Sequence, residues 1–270
     1  MNILIPMAGE GKRFSDEGYT VHKPVIPTLD RRTGKKIPMV VAATMDLPGC
    51  NNSNNSVIYV DRDFHKRDGI EETIKKYIPR AKFITIDKLT EGQASTCLLA
   101  KDYINSNEEL LIAGCDNGMV INNDFFYMLN NKFDCIVFTY RNNPGVLAKP
   151  DAHGWAIVDN EGKITKMSVK KAISDNPLKD HTVVATFWFK TGKLFVEAAE
   201  RMIKDNDRIN NEFYVDQVIQ HVIDMGYSAT VMEVEKYIGW GTPKDYEEYM
   251  LSFKYWYDFL KTDKMFNNKE

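Results

Sequence analysis

Charge of one sign, paired cysteines and long apolar runs are all scarce in this chain of 270 residues. With 35 Lys and Arg against 38 Asp and Glu the formal charge is −3, so the basic excess of a nucleic-acid binder is missing. Cys50, Cys97, Cys115 and Cys135 form no Cys-x-x-Cys pair, and isolated thiols are expected rather than disulfides or a zinc site. No apolar run reaches the length of about 18 residues that a membrane helix needs, so no membrane association is expected. Met1 leads straight into apolar residues instead of a basic leader, and a cytoplasmic protein is expected. His22, His65, His153, His181 and His221 show no helical metal spacing. Two common phosphate loops are absent too: no Gly-Lys-Ser/Thr closes a P-loop, and Phe14 stands where a dinucleotide fingerprint needs a third glycine.

What is present begins at the first residues. Ile3, Leu4 and Ile5 form a short continuous apolar run that reads as a buried strand of a parallel sheet. The loop Ala8-Gly9-Glu10-Gly11 follows, and glycines there let the backbone turn with positive φ and present N–H groups to an anion. Arg13 and Lys23 bring cations to the same place. Residues 28–36 read as a charged turn or short hairpin, and residues 37–47 as a helix ended by Pro48-Gly49. Strands at 56–60, 81–87 and 110–114 then alternate with helices at 69–78 and 94–104. This alternation predicts an α/β fold, with a mostly parallel central sheet and helices on both faces. In such sheets ligands bind beyond the carboxyl ends of strands. Gln93 and Ala94, at a strand-to-helix turn, and Asp116, at the tip of the 110–114 strand, fall there. A carboxylate so placed suits a hard cation such as Mg²⁺, although turn formation explains an aspartate equally well.

From residue 141 the texture changes. Residues 154–169 read as an antiparallel hairpin turning at Asp159-Asn160-Glu161-Gly162, with a strand at 182–189 after it. Helices are expected at 192–204, capped by Thr191, and at 212–225, ended by Gly226. A strand at 229–234 leads to a tight turn and a last helix, capped by Thr242 with Pro243 at its first position. Phe253, Tyr255, Trp256, Tyr257 and Phe259 crowd that helix. They read as docking on the chain's own core, with a partner subunit of a homo-oligomer as the second use.

Taken together and in order, GEGKRF (9–14) with Lys23-Pro24, EGQAS (91–95), LLIAGCDN (110–117), NEFYVDQVI (211–219) and GWGTPKDYEEY (239–249) resemble the sugar-phosphate nucleotidyltransferase family. The resemblance covers residues 1 to about 250. It implies one Rossmann-like, GT-A-like domain over 1–250, with a nucleotide-binding half (1–140), an acceptor-binding half (141–250) that carries the hairpin, and an aromatic helix and tail (251–270). It implies transfer of a nucleotidyl group from an NTP to a phosphorylated small molecule, with Mg²⁺ as cofactor and pyrophosphate released. By position, Ala8, Gly9, Glu10 and Gly11 cradle the phosphates, Arg13 steadies the leaving pyrophosphate, and Lys23 bridges the α-phosphate and the acceptor phosphate. Gln93 and Ala94 face the base, Asp116 holds the metal, and Gly154, Lys170, Lys171 and Glu212 meet the acceptor. The first-loop pattern looks most like cytidylyltransferase-type members, which favours CTP and a role in surface-polysaccharide precursors.

Two departures stand out. Lys170 replaces an acid that often contacts sugar hydroxyls, so a plain hexose phosphate is in question. Strand alternation turns Lys171 inward and Lys170 outward; a Lys170 that points inward instead favours an acceptor with a second anionic group. Gly239 stands where relatives place a second metal-binding aspartate. Asp216, or phosphates and water alone, completes the site, and Asp216 reads equally well as a helix-face acid. Sugar-1-phosphate thymidylyl or uridylyl transfer is the alternative within the family. A non-catalytic nucleotide-binding module and a nucleotide-sugar-dependent glycosyltransferase are the alternatives outside it, although Asp116-Asn117-Gly118 is not the Asp-x-Asp of the latter.

Overall fold

Ile3, Leu4 and Ile5 are fully buried at the centre of strand β1 (Asn2–Pro6), because helices cover both faces of the sheet it belongs to. The computed structural model describes residues 1–262. In chain order the further strands are β2 (Pro27–Leu29), β3 (Lys36–Pro38), β4 (Ser56–Arg62), β5 (Ala81–Ile86), β6 (Leu110–Ala113), β7 (Asn117–Val120) and β8 (Cys135–Tyr140). They are followed by β9 (Gly154–Val158), β10 (Ile164–Val169), β11 (His181–Phe189), β12 (Ala229–Glu233) and β13 (Lys236–Gly239).

The main sheet runs β10-β9-β11-β6-β1-β4-β5, with β8 also beside β11 and β12 beyond β8. β1 pairs in parallel with both β4 and β6, β4 with β5, and β8 with β12. β11 runs antiparallel to β6, β8 and β9, so β8 and β12 point the same way as β1. The hairpin β9–β10 hangs on the start of β11. One sheet therefore carries strands from both halves of the sequence.

Alternation along β1 divides the interior into two cores. Ile3 and Ile5 face the first, with the helix Met39–Met45, Phe126 and Tyr246. Leu4 faces the second, which is filled by the helices Gln93–Leu98, Gly192–Lys204 and Val215–Asp224. Thr191 caps the 192–204 helix by accepting from Leu194 N at 3.1 Å. No helix of the described residues is long and apolar enough to cross a membrane.

Three expectations are adjusted. The 94–104 helix is two helices, Gln93–Leu98 and Lys101–Ile104, because Leu99 N and Ala100 N bond to Thr96 O and Cys97 O and tighten the chain into a single-turn break. The strands β7 and β13 escape a local reading, since each is four residues long and exists only by pairing with the other across the sequence. The aromatic helix Pro243–Thr262 splits its aromatics between two faces. Tyr246, Tyr249 and Tyr257 donate hydroxyl hydrogens to the carbonyls of Pro27, Leu29 and Thr33 at 2.8, 2.7 and 3.2 Å, pinning the β2–β3 hairpin. Tyr255 and Trp256, in contrast, are 63% and 56% exposed. The tail beyond residue 262 lies outside the described residues.

Candidate active site

The first loop leaves β1 at its carboxyl end, where Met7 N still bonds to Val60 O at 2.9 Å. Gly11 has φ of 65°, the left-handed region that a side chain resists, and a Cβ there would stand 3.2 Å from Lys23 Cβ. Gly9 keeps negative φ and has open space around it, so only the second glycine is required by conformation. Phe14 anchors the loop. It is 1% exposed and packs edge-on against Tyr19 and Tyr246 with centroids 5.1 and 6.1 Å apart. Above it the Lys23 ammonium lies 5.4 Å from the ring centroid.

The loop forms one wall of a cleft of about 660 Å³. Ala8, Gly9, Glu10, Gly11, Arg13, Lys23, Gln93, Asp116 and Glu212 all line it. Ala94 does not: its side chain is fully buried in the second core and its N–H donates to Phe213 O at 2.9 Å. Arg13 is exposed at the mouth. At the floor Lys23 Nζ donates to Asp116 Oδ2 at 2.5 Å. Burial, the largest single effect, depresses the Lys23 ammonium, yet the Asp116 carboxylate and the Cys115 thiol beside it together outweigh that penalty, and the ammonium is held above its ordinary range. Cys115 also lines the cleft, and burial together with the neighbouring Asp116 pushes its thiol up to about 12, so it is no nucleophile at neutral pH.

The second half of the chain reaches this cleft through a backbone stitch. Phe213 N donates to Glu91 O at 2.7 Å while Phe213 O accepts from Ala94 N at 2.9 Å. Gly92, at φ of 125°, permits the approach, since a Cβ would stand 2.6 Å from both Phe213 N and Phe213 O. The stitch sets Asn211 and Glu212 beside Gln93 in the cleft wall. Thr96 and Ala185 line the cleft without having been singled out from sequence, and so does Asn211, the first residue of the 211–219 motif, which was given no role there. Asn211 has φ of 63° in a pair of asparagines, the residue type that tolerates this conformation, which was a usable signal. Ala185 has φ of 59° inside the irregular part of β11, and nothing in its local sequence marks it.

Gly154, Lys170, Lys171 and Asp216 lie away from that cleft wall. β10 ends at Val169, where the hairpin was expected to end, and Lys170 turns through φ of 57°, so strand alternation does not carry on to Lys170 and Lys171. Lys170 consequently turns toward Ala152 and Tyr214, outside the residues that line the cleft. Its Nζ donates to Ala152 O and lies 5.3 Å over the Tyr214 ring, whereas Lys171 is exposed. Asp216 sits beside Gly154, whose missing Cβ would come within 1.9 Å of Asp216 Oδ2. Burial raises the Asp216 carboxyl to about 6, against the pull of the Lys170 charge. Among the described residues no group of three or more His, Cys, Asp or Glu is disposed to hold a metal.

No family model and no curated protein matches the chain. Solved structures do. A nucleoside-diphosphate-sugar pyrophosphorylase from Vibrio cholerae RC9 superposes with a TM-score of 0.76 at 18% identity, covering 92% of this chain and 99% of that one. The inositol-1-phosphate CTP transferase from T. maritima gives 0.67 at 15% identity, covering 94% and 96%. A UDP-glucose pyrophosphorylase complexed with UDP-glucose gives 0.67 at 18%, covering 94% and 98%. At these identities the likeness shows a shared fold over nearly the whole of each chain.

Proposed function

We propose that this chain is a nucleotidyltransferase that moves a nucleoside monophosphate, CMP by preference, from an NTP to a phosphorylated small-molecule acceptor and releases pyrophosphate. The observation that carries the reading is the convergence of Arg13, Lys23, Gln93 and Asp116 on one cleft at the carboxyl edge of the sheet, in the fold of the solved structures above. An acceptor phosphate oxygen attacks the α-phosphorus in line as the bond to the bridging oxygen breaks, and the electron pair leaves on pyrophosphate. Negative charge gathers on the transferred and leaving groups, so fixed cations and orientation do the catalytic work. Arg13 neutralises the pyrophosphate, and Lys23 spans the α-phosphate and the acceptor phosphate. The Gly9–Gly11 backbone cradles the triphosphate, and Gln93 meets the base with Ala94 as its buried support. On the acceptor side, Glu212 reaches from the cleft wall, while Gly154, Lys170, Lys171 and Asp216, which lie outside that wall, are assigned to the acceptor by their place in the family pattern.

Asp116 offers the hard oxygen donors that Mg²⁺ prefers, and one carboxylate completed by substrate phosphates and water is a set this ion accepts. When bound, the ion withdraws charge from the α-phosphate and the leaving group. The preference for CTP rests on the first-loop pattern alone, since the fold is shared alike by CTP- and UDP-sugar-type enzymes. The activity fits a cytoplasmic step that activates precursors for surface polysaccharide. A panel of NTPs against phosphorylated acceptors, read by pyrophosphate release, tests the reading. Release with CTP is expected. Release with dTTP or UTP alone would replace it by the sugar-1-phosphate reading, and no release with any pair would leave a nucleotide-binding module.

A further inference from the structure

Asn211 and Glu212 enter the cleft on a turn that cannot hold its own direction. Asn210 and Asn211 are both at positive φ, 50° and 63°, as in a two-residue hairpin turn, and a single bridge between Ile209 and Glu212 closes it. One bridge does not fix a hairpin, so the ends of the turn decide where its tip points. Beyond Glu212, Phe213 is buried and stitched to Glu91 and Ala94. Before Ile209, Asp207 is tied to its own half of the chain: its Oδ2 accepts from Gln217 Nε2 at 2.7 Å and lies 3.0 Å from His221 Nε2, both on the helix Val215–Asp224. Arg208 reaches the other way. Its Nη1 donates to Glu91 Oε1 at 3.0 Å, its Nε donates to Asn206 Oδ1 at 2.7 Å, and its Cζ lies 4.4 Å from the centroid of the Phe213 ring. Among the described residues, the bond to Glu91 is the one side-chain hydrogen bond from residues 205–212 to the first half of the chain.

We propose that Arg208 is a positioning residue, which locks the Asn210–Asn211 turn onto the Glu91–Gln93 loop so that Glu212 meets the acceptor in register with the nucleotide. The inference rests on the nucleotidyltransferase reading and adds to it the side chain that joins the two substrate sides. An exposed ion pair contributes little by itself, and the Glu91 carboxylate is largely exposed. The Arg208 guanidinium differs because it is held on three sides. Its fork serves Glu91 and Asn206 while the group lies over Phe213, and a lysine would keep the charge but lose both the fork and the stacking face. Glu91 is gripped twice, its carbonyl by Phe213 N and its carboxylate by Arg208, so the loop and the turn move as one piece. A nucleotide that steadies the loop therefore steadies Glu212, and an acceptor seated on Glu212 steadies the loop by the same factor.

The test has two arms, both on the full chain. In the first, pyrophosphate release is followed with the NTP and acceptor that the panel above selects. Arg208→Gln is expected to raise the acceptor KM about tenfold while the KM for NTP stays within about twofold. Arg208→Lys should leave the acceptor KM high although the charge is kept. Glu91→Gln should reproduce the defect, and the Glu91→Gln/Arg208→Gln double variant should be no worse than either single one. Normal acceptor KM in Arg208→Lys, additive losses in the double variant or an equal rise in both KM values would overturn the proposal. The second arm needs no turnover: hydrogen exchange over residues 205–214, read by mass spectrometry, should be faster in Arg208→Gln and Arg208→Lys than in the wild type. Unchanged exchange would overturn the proposal as well. Should Arg208→Gln fail to fold, Glu91→Gln carries both measurements, since its side chain is largely exposed. If no pair of NTP and acceptor releases pyrophosphate, the nucleotidyltransferase reading fails by itself, and the exchange rates still decide whether Arg208 holds the turn.

Discussion

Residues 1–140 send β1, β4, β5 and β6 into the sheet in parallel, and the loops at 7–14, 87–93 and 114–116 all leave from the same edge. Residues 141–250 enter differently, through an antiparallel β11 and a hairpin attached to its start, with only β12 joining in parallel at the β8 edge. On the first side topology alone delivers side chains to one mouth. On the second side each residue is placed by its own contact: Glu212 by the stitch at Phe213, Ala185 by an irregular strand, Lys170 by a left-handed turn. The difference predicts that mutations on the first side act on chemistry, while those on the second act through position.

The largest expected effect is on the first side. Lys23→Ala should lower turnover by about a thousandfold, since it removes the central charge from the transition state. Its circular dichroism should stay native, and near-normal pyrophosphate release would remove Lys23 from the mechanism. Next comes the seam between the two sides. Gly92→Ala drives a Cβ into the Phe213 backbone and forces φ of 125° on a side chain, for a cost of about 3 kcal/mol. A denaturation midpoint within error of wild type would show that the stitch gives way easily.

On the acceptor side, Lys170→Glu should raise the acceptor KM about tenfold while leaving the KM for NTP unchanged, because it sets two carboxylates against each other at Asp216. Equal effects on both substrates would mean that the two sides are not separable. The smallest effect concerns pH. Asp216 titrates near 6 when folded and near 4 when unfolded, so the folded state binds more protons in between and stability falls as pH rises through about 4 to about 6. Asp216→Asn should flatten that part of the profile, which urea melts across the window will measure.

The same contrast explains what the sequence disclosed. The buried run at Ile3–Ile5, the alternating strands and helices and the cluster around Arg13, Lys23, Gln93 and Asp116 were legible, because local periodicity and strand-end position decide them. Lys170 misled because strand alternation holds only while the strand lasts, and β10 stops at Val169. The β7–β13 pair and the Phe213 stitch depend on partners more than a hundred residues apart, as the pairing of Asn117 with Gly239 illustrates. No window of neighbouring residues contains that information.

The helix Pro243–Thr262 closes a very long loop. Tyr19 at the first turn bonds to Glu247 at 2.8 Å across 228 positions, and the carbonyls of Pro27 and Leu29 are held by Tyr246 and Tyr249. During synthesis at roughly 5–20 residues per second, the segment around Lys23 therefore waits on the order of 10–45 s for the side chains that brace it. This early segment is thus among the last to gain its supports, and a nascent chain released before residue 243 lacks the Tyr246 ring that packs on Phe14. Such truncated products should be sought among chaperone clients, since their strands are complete while their first loop stands unbraced.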